Sequence, residues 1–214
     1  MIITHEYALR DSTQNGQTLR DFNYPGALLK SIKSENNSIQ DMAFYQYNAI
    51  NNHGVLTKEF HIKPGNNQDT ICTYNVMVFD SNNNPTTLTN TSLIPVAYLW
   101  GCSQTLPIVQ VIGITDSQLQ SVFNQGFVSM LHSACDLSLP ILKSVYSAIS
   151  NAFPHAEITV RSYISGIGVS YEIAPHGVVT IYDYDDYGRL VSISQEINGN
   201  RRIIEQYEYH FSEE

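Results

Sequence analysis

With 214 residues, of which 43% are hydrophobic and only 14% charged, the chain is long enough to bury a sizeable core and too apolar for a disordered tail. Its formal net charge of −9, with few basic residues and those dispersed apart from Arg201-Arg202, repels phosphate backbones and argues against a nucleic-acid partner. No stretch is apolar for long enough to span a bilayer, and Met1 to Arg10 shows neither a basic start before an apolar run nor a lipidation signal, so neither membrane insertion nor an export address is expected.

The 14 tyrosines, with many Thr, Val and Ile residues, favour strands, because aromatic and β-branched side chains fit a pleated, half-buried surface. The expectation is a mainly β fold of antiparallel hairpin repeats, a meander or twisted sheet, in a single elongated domain over residues 1–214. From Met1 to about Asn67 the sequence is polar, with short apolar runs at Ala27 to Leu29 and Ala43 to Tyr47, and reads as short strands and turns. From Ile71 the pattern sharpens. Ile71 to Phe79 is a strand-type run, Ser81 to Pro85 is turn material, and Pro95 to Trp100 and Ile108 to Ile114 are further strands.

A helical insertion is predicted between Thr115 and Ala152. Thr115 or Asp116 caps a short helix through Phe123, and Ser138 caps a second one with Pro140 in its first turn. That second helix carries Leu142, Val145, Tyr146 and Ile149 at helical spacing and stops at Pro154. Strands return at Glu157 to Ser165, Gly168 to Ile173 and Val178 to Tyr184.

Asp185-Asp186-Tyr187-Gly188 fits a type I turn, with Asp185 able to bond turn amides and Gly188 at the left-handed position of a three-residue hairpin loop with a bulge. It joins Val178 to Tyr184 with Arg189 to Gln195. Asn198-Gly199 is a two-residue hairpin signal, since both central positions of a type I′ turn need positive φ. It sets Ile193 opposite Ile204. The last strand alternates Ile203, Glu205, Tyr207, Tyr209 and Phe211 on one face, and that aromatic face is the buried candidate. An internal echo supports the hairpins: Phe79-Asp80-Ser81-Asn82-Asn83-Asn84, followed by Leu88, matches Tyr184 to Arg189 followed by Ile193, with Asn83 in place of glycine. A weaker third copy starts at Tyr47-Asn48 and turns at His53-Gly54.

These residues carry a family likeness. Tyr182-Asp183-Tyr184-Asp185-Asp186-Tyr187-Gly188-Arg189-Leu190 resembles the YD-repeat signature, a tyrosine-aspartate pair before a G-R-L turn. Tyr98-Leu99-Trp100-Gly101 with Leu106-Pro107-Ile108-Val109, and Asn151 to Ala156, are similar in order and approximate spacing to segments of the C-terminal region of Bacteroidetes RHS-type proteins. Phe22-Asn23-Tyr24-Pro25 is a weaker match to their upstream element. The likeness runs from about Ile71 to Phe211. It implies a repeat within a long cell-surface or secreted protein, with neighbouring YD repeats or a second copy of the chain as partners through a strand edge, the last strand being the suspect edge. Ala174-Pro175-His176-Gly177 stands where that family places a D-P-R-G-like turn, so no proteolytic aspartate is expected there.

Enzymatic chemistry finds little support, and no cofactor is expected. Asp183, Asp185, Asp186 and Gly188 form an oxygen-rich cluster, yet their spacing is not an EF-hand and a turn-forming role explains them better. His132 near Cys135 lacks a nucleophile motif, and a packed helix or loop is the simpler account. Cys72, Cys102 and Cys135 show no metal-ligand spacing and cannot all pair within one chain, so free, partly buried thiols are expected. Gly166-Ile167-Gly168 lacks the helix and third glycine of a dinucleotide cradle and reads as a bend. The site residues are therefore the turn formers Asp80, Asn83, Asp185, Gly188, Asn198 and Gly199. Trp100, Tyr182, Tyr184, Tyr187, Tyr207 and Tyr209 could stack on a sugar ring, although aromatic rings of β-repeats more often pack across strands. The functional expectation is a non-catalytic structural or interaction module. A carbohydrate-binding module is the alternative, favoured by a row of exposed aromatics on one sheet face, and a hydrolase, which needs a pocket with a shifted acid and base, comes after it.

Overall fold

Alternating and β-branched runs separated by Asn, Asp and Gly become strands joined by tight turns throughout the computed structural model. It describes residues 2–8, 16, 17, 19, 27–36, 38–50, 53–62, 70–89, 92–197 and 199–209. The chain is mainly β and divides into two compact units, Met1–Pro95 and Val96–Glu214.

The first unit contains β1 (Ile2–Tyr7), β2 (Leu28–Glu35), β3 (Ser38–Ile50), β4 (His53–Ile62), β5 (Thr70–Phe79) and β6 (Pro85–Thr89). Each pairs antiparallel with its neighbour in sequence. Glu35 lies opposite Ser38, and Asn36 between them takes φ of +50°, as a two-residue hairpin demands. Ile50 lies opposite His53 and Ala49 opposite Gly54, so His53 and Gly54 belong to β4. The expected turn there is corrected: the chain has already reversed before His53.

The second unit is built on β7 (Pro95–Gly101), β8 (Leu106–Ile112), β9 (Glu157–Ile164), β10 (Gly168–Ile173), β11 (Val179–Tyr184), β12 (Leu190–Ile197) and β13 (Asn200–Gln206). They too pair antiparallel in chain order. Between β8 and β9 lie α1 (Asp116–Gln120), α2 (Gln125–Ser133) and α3 (Leu139–Ala152). Thr115 precedes α1, and its backbone N–H donates to Gln118 Oε1 at 2.9 Å. Ser138 caps α3, with Pro140 in the first turn. The helix α2, whose N-cap Asn124 accepts from the Phe127 N–H at 2.9 Å, adds a third helix to the expected two.

Helical spacing puts Leu142, Val145 and Ile149 of α3 on one buried face. They join Ala97, Leu99, Val109, Val111, Ile158, Val160, Ile173 and Val179 in the core of this unit. Period-two alternation decides which strand residues take part. In β9, Ile158, Val160 and Ser162 are buried, while Thr159 and Arg161 are half-buried on the opposite face. Ser162 is fully buried, and its Oγ accepts from the Leu137 N–H at 2.7 Å and donates to the Cys135 carbonyl at 3.3 Å.

Three expectations are corrected in this unit. Cys102 and Cys135 form a disulfide and are not free thiols. Ile193 lies opposite Glu205, with a register irregularity next to Ser194, so it does not face Ile204. All of β13 is exposed, with Ile203 at 56% and Tyr209 beyond it at 45%, so the aromatic face expected in the core is not buried. The helical layer packs chiefly on β9 and β10 and reaches β12 through Lys143, whose Nζ lies 2.7 Å from Glu196 Oε1, and alternation alone cannot bury the β13 residues that no second layer covers. Phe211, Asn198 and the Phe22 to Pro25 segment lie outside the described residues.

Candidate functional site

Two loops of almost identical construction carry the repeated motif. In Asp80 to Asn84, the Asp80 N–H donates to the Asn84 carbonyl at 3.0 Å and the Asn83 N–H to the Asp80 carbonyl at 3.2 Å. In Asp185 to Arg189 the matching bonds are 2.9 Å and 2.9 Å, with Gly188 donating. Asn83 and Gly188 occupy the left-handed position with φ of +66° and +75°. The aspartate does the same work twice. Asp80 Oδ1 accepts from the N–H groups of Asn82 and Asn84 at 2.8 Å each, and Asp185 Oδ1 from those of Tyr187 and Arg189 at 2.9 Å each. Even the second carboxylate oxygen has a counterpart, since Asn84 Nδ2 reaches Asp80 Oδ2 at 3.1 Å and Arg189 Nε reaches Asp185 Oδ2 at 2.7 Å.

A third loop of this backbone form lies at Ala174 to Val178, where the family resemblance places a turn but the internal echo does not mark a copy of these loops. The Ala174 N–H donates to the Val178 carbonyl at 3.0 Å, the Gly177 N–H donates to the Ala174 carbonyl at 2.8 Å, and Gly177 has φ of +81°. Ala174 replaces the anchoring aspartate. Gly199 closes the hairpin between Ile197 and Asn200 with φ of +76°.

Arg189 does more than finish its loop. Its guanidinium lies 5.2 Å from the Tyr187 ring centroid and 4.6 Å from that of Tyr209, with Nη2 2.7 Å from Asp185 Oδ2. The hydrogen bond from Arg189 holds the Asp185 carboxyl below its ordinary range. The other carboxylate of the motif, Asp183, accepts from Ser192 and Arg201. Asp185 thus serves turn amides and a guanidinium, and Asp183 a hydroxyl and a guanidinium, and among the described residues no group of three or more acidic, His or Cys side chains is placed to hold a metal.

The stacking candidates differ in their surroundings. Trp100 is half-buried, 6.2 Å from the Tyr98 ring. Tyr182 is half-buried, and burial raises its pKa. Tyr184 donates its hydroxyl to the Val169 carbonyl at 2.9 Å and lies against Gly168, where a Cβ would come within 2.7 Å of its oxygen. Tyr187 is 81% exposed at the loop tip, while Tyr209 donates to the Leu190 carbonyl at 2.8 Å and Tyr207 to Glu205. Tyr187, Tyr207 and Tyr209 are the exposed members of these six, and the Arg189 guanidinium lies over the rings of Tyr187 and Tyr209.

Two further clusters were not legible in the sequence. Arg161 Nε donates to Glu172 Oε2 at 2.7 Å across β9 and β10, a pair set by their direct register. His61 places Nδ1 3.0 Å from Asp41 Oδ2 and Nε2 3.0 Å from Glu59 Oε1. Burial alone would push that imidazole down, but the bonds to Glu59 and Asp41 together outweigh it and raise its pKa. With both ring nitrogens committed to carboxylates, His61 is a clamp between strands rather than a base facing a nucleophile. His132 turns Nδ1 to the Trp100 carbonyl at 2.7 Å, and the sulfur of nearby Cys135 is bonded to Cys102.

No family model matches the chain, and no curated protein matches it. Solved structures do. The chain is similar to the crystal structure of TcdB2-TccC3-Cdc42, at 11% identity and a TM-score of 0.45, over 84% of this chain and 8% of that one. It is similar to a mutant Tc holotoxin pore of Photorhabdus luminescens at 11% identity and a TM-score of 0.43, over 97% of this chain and 11% of that one. The chain therefore spans about a tenth of the length of these Tc toxin chains.

Proposed function

We propose that the chain is a non-catalytic structural and interaction module, a run of β-hairpins belonging to the wall of a YD-repeat (RHS-type) protein at the cell surface or in the secreted fraction. The observation that carries this is the aspartate-anchored hairpin loop built twice, at Asp80 to Asn84 and at Asp185 to Arg189, with matching bonds atom for atom. Strands that pair only with their neighbours in sequence extend by adding another hairpin to an edge. The strand β13 ends the order of its unit and exposes Ile203 and Ile204, which suits pairing with a neighbouring repeat or with a second copy of the chain. The Cys102–Cys135 disulfide favours maturation in an oxidising compartment, in keeping with a surface or secreted protein. No described helix is long and apolar enough to cross a membrane.

An antibody raised against this chain tests the proposal in fractionated cells of the source organism. The expected species is far larger than 24.1 kDa and sits in the envelope or the culture medium. A 24.1 kDa species confined to the cytosol would overturn it.

A further inference from the structure

The segment joining β7 to β8 is built against backbone preference. Cys102, Ser103 and Gln104 follow one another with φ of +52°, +56° and +63°, three consecutive non-glycine residues in the left-handed region. There the Cβ crowds the following carbonyl oxygen, and L-residues normally visit it singly. Such a conformation persists only where the surroundings over-determine it. Here the surroundings are the end of α2 and the residues after it. The Cys102 N–H donates to the Ala134 carbonyl at 2.7 Å, the Gln104 N–H to the His132 carbonyl at 3.2 Å, and Cys102 is bonded covalently to Cys135. Within the loop, the Thr105 N–H donates to the Gly101 carbonyl at 2.9 Å and its hydroxyl to the Cys102 carbonyl at 2.6 Å.

The disulfide is not sealed in the core. Both cysteines are half-buried and line a cavity of about 250 Å³ together with Ser103, Thr105, Leu106, Ser133, Ser165 and Gly166. All six are exposed, and all but Leu106 are small. The hydroxyls of Ser103, Thr105, Ser133 and Ser165 beside the sulfur pair admit a thiolate and solvate its charge, as a wholly aliphatic wall would not.

From this conjunction we propose that Cys102–Cys135 is a reducible lock, a thiol–disulfide exchange site addressed by dithiol reductants through this cavity, whose opening lets the β7–β8 loop leave the left-handed conformation. In the exchange, one thiolate of the dithiol attacks Sγ of Cys135, a mixed disulfide forms, the Cys102–Cys135 bond breaks and Cys102 leaves as a thiolate. The second thiol of the reductant then attacks its own bonded sulfur and releases Cys135. The reductant is oxidised by two electrons to its disulfide, the cystine is reduced by two, and the two protons given up by the dithiol end on Cys102 and Cys135. The covalent hold on the loop is gone, and its strain favours the reduced state. This proposal stands on the loop and cavity alone and is independent of the YD-repeat assignment.

The test is equilibration of the folded chain in buffers of oxidised and reduced dithiothreitol without denaturant, followed by alkylation, peptide mass mapping and hydrogen exchange. Cys102 and Cys135 are expected to be alkylated only after reductant is added, with circular dichroism preserved and faster exchange confined to the amides around 101–106 and 132–136. A second arm uses Ser103→Gly and Gln104→Gly, which relieve the left-handed strain without touching sulfur. Each should shift the equilibrium toward the disulfide by roughly five- to tenfold, because glycine carries no left-handed penalty. Alkylation that requires denaturant, alkylation without any reductant, or an equilibrium unmoved by both glycine variants would each overturn the proposal.

Discussion

The middle and the C-terminal edge of the Val96–Glu214 unit use the same strand grammar to opposite effect. In β9, alternation delivers Ile158 and Val160 to a core at 1% exposure each, whereas in β13 the apolar Ile203 and Ile204 remain 56% and 46% exposed. Both strands carry β-branched residues and pair antiparallel, β13 with a register irregularity. What differs is the second layer: α3 brings Leu142, Val145 and Ile149 to one face of β9 and β10. A strand's pattern therefore states which residues can be buried together, and the neighbouring layer decides whether they are.

The sharpest way to break this comparison is to truncate a side chain in each region. Leu142→Ala should destabilise the chain by about 2–5 kcal/mol in urea denaturation, since it leaves a cavity under fully buried neighbours. Ile203→Ala should lie within about 0.5 kcal/mol of the parent, because its site is already largely solvated. Equal losses would show that β13 is covered after all.

Backbone effects come next and act at the two adjacent C-terminal hairpins. Gly188→Ala and Gly199→Ala should each lower stability by roughly 1–2 kcal/mol, because an L-residue pays for left-handed φ. An added Cβ meets nothing closer than Ile167 at 3.5 Å at position 188, and nothing within 4 Å at position 199, so the loss would be conformational rather than steric. Unchanged thermal midpoints for both would refute the turn assignment.

A smaller effect, opposite in sign, should follow from giving the third loop its missing anchor. Ala174→Asp should stabilise by about 0.5–1.5 kcal/mol, as its carboxylate can accept from the His176 and Val178 N–H groups as Asp185 does from Tyr187 and Arg189. The acid dependence of Asp185 checks the same contact. Its carboxyl is held below its ordinary 3.8, so its contribution is present above about pH 4 and is lost as pH falls through the lower folded value. Asp185→Asn should remove that part of the acid slope in a pH series of melts.

The least effect belongs to the His61 clamp. Its pKa is raised above 6.5, so its contribution is complete below that pH and fades as pH rises through the higher folded value. The melting temperature of the parent, relative to His61→Gln, should decline slightly between about pH 6.5 and 8. A parallel course would show that Asp41 and Glu59 do not hold the ring charged.

Short-range chemistry made much of this protein legible without coordinates. The bounds of β5, β10 and α3, and the loop geometry at Asp80 and Asp185, follow from alternation, caps and left-handed tolerance, all of which act within a few residues. Family resemblance places the turn at Ala174, but its kinship with the other two loops escapes the sequence because the telltale carboxylate is missing while the backbone form persists. Only the tertiary structure could choose among the three possible pairings of Cys72, Cys102 and Cys135, since Cys102 and Cys135 are 33 residues apart in sequence and 4.1 Å apart at Cα. The same holds for Arg189 between Tyr187 and Tyr209, for the clamp at His61, and for the exposure of β13. Each depends on which distant segment arrives beside it, and a sequence pattern that repeats every two or four residues carries no record of that arrival.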